Sequence, residues 1–375
     1  MMSSRRRFLI FLFILLGLLL SAEVGARRYI RSAPAASFDR YASFDQLTAR
    51  YGIAPLDLHR NIGYTGNVEY VRAEDFHNSF GYRGEEFEIS KAEGAFRIVT
   101  LGGTSTYSEG VSDFRQSYPY LLSEYVRGQG YSEVEVINAG LPGYTSWESF
   151  LNFNFRVLDL QPDLVLFYPD IEDVAARLVW PPEAYLADNS GYLDNITAFT
   201  PPWWEGSTAL RILLISLGLT TSHTDLAIQW RPRAQTSHEL ALLQQYAQES
   251  YPAGIFRETA AEDMLAANVP IYFRNNLRSM VASGRVHQVP FVFISALVHP
   301  RDLEDPAGYY AALQEHNSLV EGVAAENQLP YLDLAAVLPN DPEAFTDGGL
   351  LNAAGNQQLA EAIGDFLIEN RLIRP

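Results

Sequence analysis

The polar and apolar positions of the chain fall into three patterns. The first is at the start: Arg5, Arg6 and Arg7 precede an apolar run from Phe8 to Ala22, broken only by Gly17 and Ser21. A basic start followed by an apolar segment reads as a targeting signal. The run is shorter than the ~20 residues of a comfortable transmembrane helix, and extending it to Val24 takes in Glu23. Two readings fit: an uncleaved anchor, or a signal cleaved at the small residues Val24-Gly25-Ala26. Arg27, Arg28 and Arg31 follow the segment and blunt the positive-inside argument. Burying the run as a helix of the fold is opposed by its arginine flanks. On both leading readings the body of the protein is translocated, to the periplasmic or cell-surface side.

The second pattern, over about residues 31–95, is mixed and polar, and predicts short strands or loops packed on a main domain. The third begins at Arg97 and is regular. Short apolar, β-branched runs are expected as strands: Arg97–Leu101, Val134–Ile137, Leu164–Tyr168, Pro290–Ile294 and Tyr331–Leu334. Helical spacing is expected over Tyr118–Arg127, Ser146–Leu158, Ile271–Val286, Gly308–Glu326 and Ala353–Ile368. About five strands alternating with helices predict a parallel sheet covered on both faces, with any ligand beyond the carboxyl ends of the strands. The alternation stops near Ala175 and resumes near Ala261. Between lie Pro201-Pro202-Trp203-Trp204 and an apolar run, Leu210 to Leu219, too short to span a bilayer. This reads as a lid-like insertion over about residues 175–260. Three parts are therefore expected: an anchor or signal over 1–30, an extension over 31–95, and a main domain over 96–375.

Composition narrows the chemistry. The 375 residues include no cysteine, which excludes disulfides, thiolate metal sites and thiol catalysis. The formal net charge of -18 disfavours nucleic acid as a partner. Lys91 is the single lysine, and the triplet Asn195-Ile196-Thr197 is a glycosylation sequon by pattern alone. No cofactor motif is present.

Four segments carry a resemblance. They are Leu101-Gly102-Gly103-Thr104-Ser105-Thr106-Tyr107; Asn138-Ala139-Gly140-Leu141-Pro142-Gly143; Pro162-Asp163-Leu164-Val165 through Ile171-Glu172-Asp173-Val174; and Phe345-Thr346-Asp347 through Leu350, Asn352 and Gly355. In order and at strand ends, they resemble the conserved blocks of the SGNH (GDSL-type) ester hydrolases over roughly residues 95–370. The resemblance implies a three-layer α/β/α, flavodoxin-like parallel sheet. It also implies a serine nucleophile, a histidine base, an orienting aspartate, and an oxyanion hole of backbone N–H groups and an asparagine amide.

This chain departs from that pattern at the decisive places. Thr104 stands at the nucleophile, Glu172 at the oxyanion asparagine and Leu350 at the histidine, and Asp170 replaces a glycine. Asp347 of the triad and Gly140 of the hole match. Leucine moves no proton, and an ionised Glu172 would set negative charge where an oxyanion must form. The resemblance therefore implies a scaffold without its chemistry: a membrane-held binding or assembly protein with a glycan or protein partner. The alternative is an esterase or O-acetyl esterase on cell-surface carbohydrate. It would use Thr104 or the adjacent Ser105, with His299 after the fourth strand, or a carboxylate, as a substitute base. A further alternative uses Asp170, Glu172, Asp173 and Asp347, with the two hydroxyls, to cage a hard cation.

Overall fold

The structure, a computed structural model, describes residues 4–43, 45–47, 56–59, 62–178, 182, 185–186, 202–220, 260–297, 308–338, 341–346 and 350–374. His299, Asp347, the sequon, and two other histidines, His223 and His238, lie outside the described residues. The chain divides into two compact units: Met1–Ala54 with Ala198–Ala234, and Pro55–Thr197 with Gln235–Pro375.

In chain order the elements of the regular part begin with α1 (Ser4–Ser32) and α2 (Ala35–Tyr41). Two short hairpins follow, β1 (Leu56–His59) with β2 (Gly63–Gly66), and β3 (Val71–Arg72) with β4 (Asp75–Phe76). Next come β5 (Phe96–Gly102), α3 (Thr104–Tyr107), α4 (Tyr118–Gly128), β6 (Val134–Asn138), α5 (Ser146–Asn152), β7 (Leu164–Tyr168) and α6 (Glu172–Ala175). The remainder is α7 (Thr208–Ser216), α8 (Ala261–Ala267), α9 (Ile271–His287), β8 (Phe291–Ile294), α10 (Tyr309–Asn327), β9 (Tyr331–Leu332), α11 (Leu334–Val337) and α12 (Ala353–Glu369).

The first unit consists of α1, α2 and α7. Only one face of the C-terminal part of α1 is covered: Glu23 and Ala26 are half-buried and Ile30 is buried, at the three- and four-residue spacing of a single helix face. The apolar run before them is exposed on all sides. Helix α7 starts against Glu23, whose carboxylate accepts hydrogen bonds from Thr208 N (3.1 Å), Ala209 N (3.0 Å) and Ser207 Oγ (2.9 Å). Those N–H groups would otherwise lack intrahelical partners, so a residue of α1 caps α7.

The second unit is a three-layer α/β/α sandwich. Its parallel sheet has the order β6-β5-β7-β8-β9, and the pleat sends alternate residues to opposite faces. Val99, Leu101, Val165, Phe167 and Phe293 pack against Leu277 and Met280 of α9 and Val320 and Val323 of α10. Ile98, Leu164, Leu166, Val292 and Ile294 pack against Leu122 and Val126 of α4 and Leu359 and Ile363 of α12. Burial on both faces is why these strands read as continuous apolar runs.

The expected strands and helices are all present, with two adjustments. The stretch expected as one helix over Ser146–Leu158 leaves α-geometry at Asn152 and continues as a wide turn (Phe153–Val157) and a tight one (Leu158–Leu160). The last strand stops at Leu332 because Asp333 turns its carboxylate onto Ala335 N (3.1 Å) and caps α11.

Candidate functional site

The order of the sheet reverses at β5, which has β6 on one side and β7 on the other. In open α/β sheets that is where ligands gather, and three of the four sequence blocks meet there. Glycine at 102 and 103 is required by close approach. A Cβ on Gly102 would lie 2.1 Å from Tyr168 O, and one on Gly103 2.6 Å from Tyr144 O and 2.7 Å from Glu172 Oε2. A Cβ on Gly140 would meet the Thr106 side chain at 2.5 Å. These glycines bring the ends of three strands together whatever chemistry follows.

Thr104 opens α3 and is 1% exposed. Its hydroxyl donates to Glu172 Oε1 and accepts from Gly143 N at 3.1 Å. Its own N–H donates to the same Glu172 oxygen at 3.0 Å. Glu172, the first residue of α6, is also 1% exposed, and its second oxygen, Oε2, is buried without a hydrogen-bond partner. Burial, and then the charge of Asp170, pushes its pKa well above the usual carboxylate range. The ionised form, which would set negative charge at this position, is therefore disfavoured in the fold, and the neutral acid is favoured. Gly140 N–H, which the sequence resemblance implied as an oxyanion-hole donor, is directed at Asn138 Oδ1 at 3.1 Å.

Ser105 differs from Thr104 in being half-buried. Its N–H donates to Asp170 Oδ2 at 2.7 Å, and Asp170 also accepts from Ile171 N at 2.8 Å. Burial raises the Asp170 pKa, against these hydrogen bonds. Asp173 faces elsewhere. Its two oxygens accept from Ser146 N, each at 3.0 Å, and Oδ1 also accepts from Ser146 Oγ at 2.6 Å. Burial raises its pKa to about 7. The carboxylates thus diverge onto separate backbone groups. Among the described residues no three His, Asp or Glu side chains are placed to hold a metal ion, so the cation cage drawn from the sequence does not form from Asp170, Glu172 and Asp173.

The final block keeps its backbone role. Asn352 Oδ1 accepts from Gly355 N at 3.1 Å and caps α12, while a Cβ on Gly355 would lie 2.2 Å from Ala344 O. Leu350 sits against Gly110, where an added Cβ would be 3.1 Å from Leu350 Cβ. None of the described histidines bonds the Thr104 or Ser105 hydroxyl. His316 is buried and stacked on Phe273 with ring centroids 4.4 Å apart.

Two residues from the extension matter more than sequence spacing suggested. His77 Nε2 is 2.9 Å from Tyr107 Oη, and burial lowers the ring's pKa to about 4, which keeps it neutral. Arg83 donates to Tyr107 O (2.8 Å), Ser108 O (2.7 Å) and Val111 O (2.7 Å), and to Asp75 Oδ1 at 2.6 Å. It supplies partners for carbonyls at the end of α3 that the short helix leaves open. The sequence signal for this was faint: an arginine inside a turn-rich Asn-Ser-Phe-Gly-Tyr-Arg-Gly stretch.

No protein-family model and no curated protein matches the chain. Solved structures do. A lipase/acylhydrolase from Enterococcus faecalis is 16% identical, with a TM-score of 0.42 over 73% of this chain and 96% of that one. A GDSL-like lipase from Bacteroides thetaiotaomicron is also 16% identical, with a TM-score of 0.39 over 73% and 88%. An acetylxylan esterase from Geobacillus stearothermophilus is 14% identical, with a TM-score of 0.38 over 75% and 96%. Identities are low and scores modest, so the functional reading rests on the geometry of this chain.

Proposed function

We propose that this chain is a membrane-anchored, extracytoplasmic protein on an SGNH-hydrolase scaffold that binds or assembles at the membrane surface and does not hydrolyse esters. One observation carries the reading: the hydroxyl at the nucleophile position is enclosed. Thr104 Oγ1 is bonded on one side to a buried carboxyl and on the other to Gly143 N, with 1% of the residue exposed. A nucleophile needs an open face toward an acyl carbon and a base to take its proton. A neutral carboxyl is not a base, and Leu350 cannot serve as one. The N–H of Gly140, which would face an oxyanion, is already used within its own turn. In this reading the surviving motifs are retained for backbone geometry and the altered positions lock the strand ends together. The former substrate cleft is then a structural seam, and a glycan or protein partner binds elsewhere on the protein.

The anchor part of the proposal is supported by α1. It is a single helix that carries the apolar segment and continues without a break through Glu23 to Ser32. Cleavage near Val24-Gly25-Ala26 would remove Glu23, the cap of α7, from the fold.

Activity is tested on the purified chain with p-nitrophenyl acetate. The expected rate equals that of the Thr104→Ala and Ser105→Ala variants, at the level of non-specific surface hydrolysis. Turnover abolished by either substitution would overturn the proposal. The second reading, an esterase, is favoured by one feature: Ser105, unlike Thr104, reaches the surface beside Asp170. Loss confined to Ser105→Ala would establish that reading.

A further inference from the structure

We infer that α7 is an interfacial lipid-binding helix, so that the first unit rests on the outer leaflet of the bilayer through a second apolar element beside α1. The inference builds on the anchor reading above. The observation behind it is that α7 is inverted relative to a water-facing helix. Its single charged residue, Arg211, points inward, with 1% of its surface exposed. There it donates to Tyr41 O at 2.8 Å and Glu205 O at 2.5 Å. Thr208 and Ile215 share that buried face. The opposite side is leucine: Leu213 is 52% exposed, and Leu217 and Leu219, just past the helix end, are 62% and 69% exposed. Trp203, in the turn before the helix, is 87% exposed. Helices at a membrane surface keep their apolar side toward lipid, and tryptophan concentrates at the headgroup level.

The position of α7 along α1 identifies the occupant. Its first turn is fixed to Glu23, the residue that directly follows the apolar run. The start of α7 is therefore held at the level where the anchor meets the headgroups, which sets its exposed leucines within a helix length of the bilayer surface. The anchor is also short. At 1.5 Å per residue, Phe8 to Ala22 covers roughly 22 Å, against about 30 Å of hydrocarbon. A short span is accommodated by thinning the bilayer locally or by apolar surface placed beside it. A helix with leucines turned to the acyl boundary supplies such surface.

The chain has no cysteine, so single-cysteine variants of the full-length protein can be spin-labelled without background. Labels at Leu213→Cys and Leu217→Cys are compared in phospholipid nanodiscs with Leu15→Cys as a bilayer reference and Val68→Cys, which is exposed, as a water reference. Unchanged circular dichroism and melting of each labelled protein confirm the fold. The expected result is that the 213 and 217 labels collide with oxygen several-fold more than with a water-soluble nickel chelate, as the Leu15 label does. If they behave like the Val68 label while the Leu15 label is lipid-buried, the inference fails and the anchor reading stands. If both reagents are excluded, a protein surface covers the leucines and the inference fails. If the Leu15 label is itself in water, the anchor reading and the inference fail together.

Discussion

Glu172 shows how one buried side chain can enclose a hydroxyl. Its carboxyl accepts both the N–H and the hydroxyl of Thr104, a residue 68 positions away. Burial, and then Asp170, raises its pKa well above normal. An unfolded glutamic acid loses its proton near pH 4.5, whereas the folded one holds it. The native state thus binds more protons above that pH, and stability falls as pH rises toward the folded pKa. Glu172→Gln keeps the oxygen acceptor and removes the titration. The two proteins should therefore melt alike near pH 4, and the variant should gain over the parent as pH rises to 6 and then 8. Asp173, raised to about 7, follows the same sign, and His77, lowered to about 4, follows the opposite sign as pH falls from 6.5. Both are present in parent and variant and cancel in the difference. A melting difference independent of pH would mean that Glu172 is ionised in the fold. The positions 104, 172 and 350 could be picked out in the sequence by their place in the blocks. Their closure could not, because whether a carboxyl repels or locks depends on burial.

At the level of elements, the sheet was legible because each strand is apolar on both faces and each covering helix repeats its buried positions every three to four residues. For the hairpins β1–β2 and β3–β4 the sequence offered only short strands or loops, without positions or pairing. Strands of two to four residues carry too little pattern, and besides the packing of Ile62, Tyr64 and Tyr82 against the core, the extension is held by polar contacts that no periodicity marks: His77 on Tyr107, and Arg83 on the end of α3. Arg83 has a fully buried side chain paired with Asp75, itself 9% exposed. Replacing it with leucine takes the cation from a buried carboxylate that keeps only the Tyr70 hydroxyl at 3.2 Å, and removes a donor from three carbonyls. Removing one partner of a buried pair generally costs about 3–5 kcal/mol. Urea denaturation of Arg83→Leu should show a loss of that size. A loss below about 1 kcal/mol, the range of a surface pair, would show that the contact does not support α3.

For the whole molecule, the decisive question is where the mature chain starts. The sequence left anchor and cleaved signal open because its apolar run is marginal in length and small residues follow it. The structure adds a physical constraint: within the first unit, the covered face of α1 begins at Glu23 and continues through Ala26 to Ile30. A cut after Ala26 would delete the first two of these and leave the N–H groups of Thr208 and Ala209 without acceptors. Uncapping a helix start costs about 0.5–2 kcal/mol, and the lost packing of Ala26 adds to it. The expected outcome is that the protein isolated from native membranes retains residues 1–26 by intact mass and stays in the pellet after alkaline carbonate extraction. Glu23→Ala should leave membrane retention unchanged, because the apolar run is intact, while lowering the stability of the first unit. A mature N-terminus at Arg27 in a soluble, fully folded product would overturn the anchor reading. It would also mean that α7 is held in place without Glu23.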